Sequence, residues 1–379
     1  MDESQKIERI KQLWIDTFGD SRSYVDMIVD GYYDNNICLN IFEGDQIISS
    51  SLVIPYEFVE HPKEEYSKNI KYVGDYLCGL STIATRRGEG LMKRIISRIE
   101  DNSKSNNSDF AFLIPADDKL RRYYYNLGYR NTSLRTFITL SSVKNTREIS
   151  GKSERVNIGY DAYDSQDLFN DKIQIISRNI IAENSTVINN LLSEIIPLIQ
   201  QHESDLFFMS EEPYITDASI ADKKLSNNSA YNVLRGHDRN LICITHSYKQ
   251  WRDIIEDLLR DESSIFILRD SDESILSIVI YTVKNRLYPV YGNGQNIIRN
   301  LIYILSENIL RKLKNIESNN SIEIVISNPI EGSILSELIS KNYHFESYDI
   351  LLRNEEYGMA KIFNPRVSPS DIVMSFMFD

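Results

Sequence analysis

The chain has 379 residues, 42% of them hydrophobic and 26% charged, with 15 Gly, 9 Pro and 3 Cys. That balance excludes wholesale disorder and collagen-like or Pro-rich chains, and at ~100–200 residues per domain it predicts two domains, three at most. Net charge is −13, of which residues 1–145 carry −2 (19 basic, 21 acidic) and the remainder −11 (23 basic, 34 acidic); this excludes nucleic acid as the main ligand and serves either solubility or attraction of cationic small molecules.

Cys38, Cys78 and Cys243 lie far apart and form no CxxC. Their odd number argues against a secreted disulfide framework. No HExxH or other metal-ligand spacing occurs, so no metal is expected. No apolar run approaches ~18 residues, and the opening MDESQKIERI is acidic and polar, unlike a signal peptide. The expectation is a cytoplasmic protein with no membrane partner.

Along the chain, Ile7, Ile10, Leu13, Trp14 and Phe18 make one apolar helical face over 5–19. Residues 36–42 and 46–54 read as a hairpin around Glu43-Gly44-Asp45. The polar stretch 57–69 reads as a loop or strand edge, and a strand follows near 77–83. After Thr85-Arg86-Arg87-Gly88-Glu89-Gly90 a helix runs from Leu91 to about Ser103, its inner face carrying Leu91, Ile95, Ile96 and Ile99. Residues 109–114 suit a buried strand. Pro115 and Asp117-Asp118 open a further helix that stops at Gly128, a left-handed cap. A strand at 134–141 closes the unit. The order predicts an α/β layout on a mixed sheet.

The polar run 141–160 marks a domain boundary, 165–205 reads as largely helical, and 206–245 contains a long surface loop around ADKKLSNNSAYN. Residues 321–329 echo 108–115. A shift of 214 maps Pro115 to Pro329, Gly128 to Asn342 and Tyr129 to Tyr343. Strand 274–283, then Tyr291-Gly292-Asn293-Gly294 and a helix at 296–313, parallel the earlier strand, Gly turn and helix. The second half therefore reads as a diverged copy of the first. The same shift takes Tyr124 to Leu338, and Arg-Arg-Gly is missing before helix 296–313, so the copy is expected to be inactive.

The segment from Ser81 and Thr82 through Ile83 to Met92 is where chemistry is expected. A strand feeds a turn with two Gly and two Arg and then a helix, whose first N–H groups lack intrahelical partners and whose dipole is positive there. Gly88 and Gly90 admit an anion close to the backbone, and Arg86, Arg87 and Lys93 add charge. The pattern suits a phosphate or pyrophosphate. It is neither a Walker loop nor GxGxxG.

Arg87, Gly88, Glu89, Gly90 and Leu91 resemble the R-x-x-G-x-[G/A] acyl-CoA pyrophosphate loop of the GNAT acetyltransferase superfamily, with Met92 departing at the last small position. Tyr123 to Tyr129 resembles the family's helix [FY]-Y-x-x-x-G-[FY]. The tandem-domain GNATs of the enhanced-intracellular-survival (Eis) type look similar. The resemblance implies an α/β (α+β) fold of two tandem GNAT-like domains, each a mixed, mostly antiparallel sheet flanked by helices: a catalytic domain at 1–145, a diverged one at 146–360, and a tail at 361–379. It implies acetyl-CoA as cosubstrate, bound by Ser81, Thr82, Ile83, Arg86, Arg87, Gly88, Glu89, Gly90, Leu91 and Met92. It makes Tyr124 the general acid, while packing of an amphipathic ring is the alternative role for any one of 23 Tyr. Eis-type proteins are often oligomers, which extends to this chain the expectation of a homo-oligomer.

The tail DIVMSFMFD is apolar and expected to dock, as core packing or, by the same resemblance, with the Asp379 carboxylate as the base in the active site. Glu57 and Glu60 are the other carboxylates expected to meet the amine substrate, and the Ile83 N–H is expected to hold the thioester carbonyl. Transfer from acetyl-CoA to a primary amine is the activity so implied. An aminoacyl-tRNA or peptide acceptor, a non-catalytic acyl-CoA sensor and a scaffold are the other readings.

Overall fold

The computed structural model describes residues 2–60, 69–132, 134–142, 172–177, 185–205, 241–261, 263–305, 321–327, 332, 335–336, 338–340, 342 and 348–374. In chain order the first elements are α1 (Glu3–Phe18), α2 (Arg22–Tyr32), β1 (Asn40–Glu43), β2 (Gln46–Glu60), β3 (Ile70–Thr82), α3 (Leu91–Ser105), β4 (Phe110–Leu113), α4 (Asp118–Asn126) and β5 (Arg130–Asn131). Next come β6 (Leu134–Ser142), β7 (Lys172–Ile176), α5 (Ser185–Asp205), β8 (Ile242–Thr245), α6 (Tyr248–Arg260), β9 (Ser264–Arg269), β10 (Ile275–Thr282) and β11 (Arg286–Tyr291). The last are α7 (Gly294–Leu305), β12 (Ile322–Ile326), β13 (Tyr348–Glu356), β14 (Met359–Ile362) and β15 (Ile372–Val373). No described helix is long and apolar enough to cross a membrane.

The chain forms two compact units. Met1–Leu134, Ile215–Asp257 and Glu356–Asp379 make the first; Arg135–Tyr214 and Leu258–Glu355 make the second. This differs from the sequence division in three places. β6, expected to close the first unit, pairs with β12 in the second sheet, Ile138 opposite Ile324. β14 lies between β4 and β5 in the first sheet, and β8 pairs with β2 there. Strand propensity and burial are legible locally, but which sheet accepts a strand depends on pairing partners far off in sequence.

The first sheet has the order β15-β8-β2-β3-β4-β14-β5, with β1 on β2. Its core is aromatic: Phe58 and Phe110 stack edge-on at 4.8 Å, and Tyr76 lies on Phe112 at 5.2 Å. α1 starts with an Asp2/Gln5 capping box and buries Ile10, Leu13 and Trp14 as its spacing predicts, while Phe18 stays half exposed. α2, capped by Ser21 accepting the Tyr24 N–H, buries Val25, Ile28 and Val29 and is an element the sequence reading does not predict. Lys11 ties it to α1 through Asp26 at 2.8 Å and Asp30 at 2.7 Å. The stretch 57–60 continues β2 as strand. The tail docks in this unit as far as Met374: β15 pairs with β8, and Met374 lies against Gly358.

The second sheet has the order β13-β6-β12-β11-β10-β9-β7. Its hairpin β10–β11 and its parallel pair β11–β12 repeat the β2–β3 hairpin and the β3–β4 pair. α7 buries Ile297, Ile298, Leu301 and Ile304 against it. The stretch 165–205 corrects in part: β7 precedes the long helix α5. A buried Arg269 grips Glu194 with two bonds at 2.7 and 2.9 Å and joins β9 to α5.

In the first unit Lys361 on β14 donates to Glu100 of α3 at 2.6 Å and to the Leu127 carbonyl past α4 at 2.8 Å. The Glu100 side chain is 8% exposed and that of Lys361 28%. Removing one partner of such a pair strands a buried charge. Lys361→Met is expected to cost about 3 kcal/mol, the low end for a buried pair because the lysine keeps some water contact. Urea unfolding measures it, and Lys361→Met with Glu100→Leu should recover most of the loss.

Candidate functional site

β3 and β4 run parallel and pair only from Gly74–Phe110 to Tyr76–Phe112. Beyond Tyr76, β3 continues six residues to Thr82 with β2 alone at its side. The two strands therefore part toward their carboxyl ends, where ligands gather in open α/β sheets. The cause is visible in β3. Opposite the single residue Ser51, the strand fits in both Gly79 and Leu80, a β-bulge. Gly79 has φ +57°, and a Cβ there would lie 2.2 Å from the Trp14 ring. Only glycine meets both demands.

Past Thr82 the chain makes one 3-10 turn and the exposed Arg87–Gly90 turn. Gly88 and Gly90 take φ +87° and +75°, and nothing lies within 4 Å of where their Cβ atoms would be. Gly90 caps α3 without a side-chain bond, and the first helical bond is Arg94 N–H to Gly90 O at 3.1 Å. The amides of Leu91, Met92 and Lys93 thus have no helical acceptor and point out at the positive end of a 15-residue helix. Leu91, Ile95, Ile96 and Ile99 anchor that helix in the core as predicted. The arrangement can hold a multiply charged anion against backbone N–H groups.

The two arginines are not equivalent. Arg86 is bound by Glu43 at the end of β1 and by Glu89 at 2.7 Å. Arg86, expected among the anion's contacts, thus shares its charge between two carboxylates, and its hydrogen bond holds the Glu89 carboxyl below the usual range. Arg87 is exposed, donates Nε to the Thr82 carbonyl at 3.2 Å, and forms no ion pair among the described residues.

Other site expectations fare unequally. Ser81 is buried and its carbonyl accepts from Ser49 Oγ at 2.9 Å. The Thr82 hydroxyl bonds the same Ser49. Ile83 N–H donates to the Ile48 carbonyl at 3.0 Å, so it is not available for a thioester carbonyl as expected. Met92 is half-buried just behind the Gly90 cap. Glu57 and Glu60 stand opposite Val73 and Ile70 at the far end of the β2–β3 hairpin. Val73 is four residues before Leu77, where the cleft opens, or about 13 Å at strand rise. Both carboxylates are engaged, Glu57 with Lys71 at 2.8 Å and Glu60 with the Tyr72 hydroxyl at 2.6 Å. The structure does not bring them to the cleft. Asp379 lies outside the described residues.

Tyr124 is held by α4, which follows β4 as α3 follows β3. Asp117 caps this helix by accepting the Leu120 N–H at 2.7 Å, and the chain leaves it through Gly128 at φ +95° with Tyr129 N–H returned to the Tyr124 carbonyl at 3.1 Å. Tyr124 is the buried residue of α4, 6% exposed, with its ring edge-on to Tyr123 and Tyr129. Burial, then the Tyr123 and Asp117 charges, push its hydroxyl pKa well up. Among the described residues that hydroxyl has no hydrogen-bond partner. It is a protonated donor without a task in the fold.

In the second unit the corresponding turn is short. β11 ends at Tyr291 and α7 begins at Gly294, so no arginines intervene. The Asn293 side chain caps α7 by accepting the Asn296 N–H at 2.9 Å, and a Cβ on Gly294 would lie 2.8 Å from Leu338. Leu338, in the place of Tyr124 by the repeat, fills that space. Among the described residues no group of three or more His, Cys, Asp or Glu gathers as a metal set.

Residues 3–132 match the family model described as an acetyltransferase (GNAT) domain. No curated protein matches the chain. Among solved structures, a conserved protein of unknown function from Enterococcus faecalis, described as a probable N-acyltransferase, is similar over 96% of this chain and 72% of its own at 13% identity and TM-score 0.54. A GCN5-related N-acetyltransferase from Anabaena variabilis is similar over 95% and 71% at 11% identity and TM-score 0.51. Eis1 from Mycobacterium abscessus covers 96% and 72% at 9% identity, with a TM-score of 0.48 that is too low to bear on the fold. At these identities the likeness is one of fold, and it spans both units. Residues 3–132 thus match a GNAT acetyltransferase domain, and the fold of the chain as a whole is like that of these acyltransferase structures.

Proposed function

We propose that the chain is an N-acetyltransferase that carries an acetyl group from acetyl-CoA directly to the primary amine of a cationic acceptor, with Tyr124 as general acid. One observation carries the reading. On the two arms of a parting parallel pair stand an exposed turn lined with backbone amides and a buried tyrosine, Tyr124, whose hydroxyl has no hydrogen-bond partner among the described residues. The diphosphate of the carrier sits on the Gly88–Lys93 amides with Arg87 beside it. The acyl arm lies along the edge of β3 that β4 leaves. The oxyanion-type contact falls to the bulge at Leu80, since Ile83 N–H is already bound.

An ammonium cannot attack a thioester, so the acceptor, with a free amine near ~10.4, must first lose a proton. Bulk water takes that proton; the neutral amine nitrogen then bonds the acetyl carbon, the carbon–sulfur bond breaks, and the second proton that the nitrogen sheds restores Tyr124 after its own has gone to sulfur. Tyr124 donates to the departing sulfur. Burial raises its pKa, so the hydroxyl keeps its proton until the sulfur takes it up. The second unit, whose turn is short and filled by Leu338, takes no part in the transfer. The acidic surplus of the chain favours a cationic acceptor.

Acetyl-CoA at ~100 times its dissociation constant should stabilise the chain by about 2.7 kcal/mol, read as a thermal shift; no shift with acetyl-CoA or CoA rejects the reading. Tyr124→Phe is expected to lower kcat by about 10²–10⁴-fold with KM for acetyl-CoA nearly unchanged, in a thiol-release assay over an amine panel. Arg87→Gln should instead raise that KM. Because the Tyr124 pKa is raised, kcat should climb with pH as the amine deprotonates and show no tyrosine-dependent fall below about pH 10. Binding without turnover on any amine would make the chain an acyl-CoA sensor.

Gly79→Ala forces a left-handed alanine into the Trp14 ring, and about 2–4 kcal/mol of stability should be lost. Acetyl-CoA affinity should fall with it in the same thermal-shift assay.

A further inference from the structure

Glu43 is remote from the anion turn in sequence and ends the first strand of a hairpin, yet its carboxylate meets Arg86 Nη1. Glu89, inside the turn, takes Arg86 Nε at 2.7 Å. One guanidinium between two carboxylates leaves that cluster at −1. It stands next to Arg87, whose charge is unopposed by any described carboxylate, and next to the outward amides of α3. The turn therefore presents an attractive half and a repulsive half to the same anion.

We propose that Glu43 sets the affinity of this anion seat by holding Arg86 away from it, so that the carrier's diphosphate is gripped by the amides and Arg87 alone. The proposal rests on the site assignment above. Glu43 is an affinity-determining residue that acts through Arg86 and need not touch the ligand. Its carboxylate opposes an incoming multiple anion by charge, and by direction, since Arg86 aims at Glu43 instead of at the seat. Neutralising it brings the cluster to zero and releases one donor set of the guanidinium. Both effects have the same sign. All the partners are partly exposed, with Glu43 keeping 56% of its side chain in contact with solvent, so the effect must be screened by salt.

The test measures equilibrium binding of coenzyme A and of inorganic pyrophosphate to the full chain, at ~50 mM and at ~1 M salt, where the screening length falls from above 10 Å to about 3 Å. Glu43→Gln should bind both probes about three- to tenfold more tightly than the original chain at low salt, with no gain at high salt. Glu89→Gln should shift binding in the same direction, and Arg87→Gln in the opposite one. Equal or weaker binding by Glu43→Gln overturns the proposal and makes Glu43 a brace of the turn; thermal melts check that the variant is folded. If pyrophosphate shows the Glu43 effect and coenzyme A does not bind, the acyl-CoA reading falls and the proposal stands. If coenzyme A binds with no Glu43 effect, the reverse holds. If the original chain binds neither probe, both fall.

Discussion

Parallel pairing between β3 and β4 lasts for three residue pairs and then stops, and the site exists because it stops. Two parallel strands that stayed hydrogen-bonded to their ends would consume every edge amide and leave no gap for a ligand. The parting is built from packing rather than from any polar residue. Trp14 of α1 occupies the space beside Gly79, the strand takes an extra residue there, and the ladder to β2 absorbs the shift. β4 ends at Leu113 and passes through Pro115 into α4. One aromatic ring and one left-handed glycine thus direct β3 away from its neighbour and carry Arg87–Gly90 into solvent.

The electrostatics of the gap follow from the same architecture. A helix that begins at a left-handed glycine has no capping side chain, so its amides are left for an anion. Arg87 adds one unopposed positive charge, while Arg86 is consumed by Glu43 and Glu89. On the other arm, Tyr124 is the inward member of three consecutive tyrosines, and burial keeps its proton on. The two arms are held in register by Lys361, which bonds Glu100 on α3 and the Leu127 carbonyl behind α4 at once. That lysine comes from a strand laid down more than two hundred residues after α4.

The repeat shows how little must change to remove a site while keeping a fold. The second unit preserves the antiparallel hairpin, the parallel pair and a glycine at the start of its helix. Its turn lacks the arginines, an asparagine side chain caps the helix, and Leu338 stands where the first unit has Tyr124. Amides that are capped and covered are satisfied internally and have nothing to offer an anion.

Residue pattern alone determined much of this protein. The apolar faces of α1 and α3, the Asp117 cap, the Gly128 exit and the Arg87–Gly90 turn are local features. They rest on periodicity, capping chemistry and φ preferences that act within a few residues. The copy in the second half was legible for the same reason, because it repeats local units. Tertiary structure decided the rest. Only pairing over long separations sends β6 to the second sheet and inserts β14 and β8 into the first. Only the register of β2 on β3 carries Glu57 and Glu60 away from the cleft and consumes Ile83 N–H. Glu43 read as part of a turn, because no local rule joins it to an arginine 43 residues on. Charge neutralisation, strand exchange and close packing are contacts between distant segments, and spacing along a chain does not encode which distant segments meet.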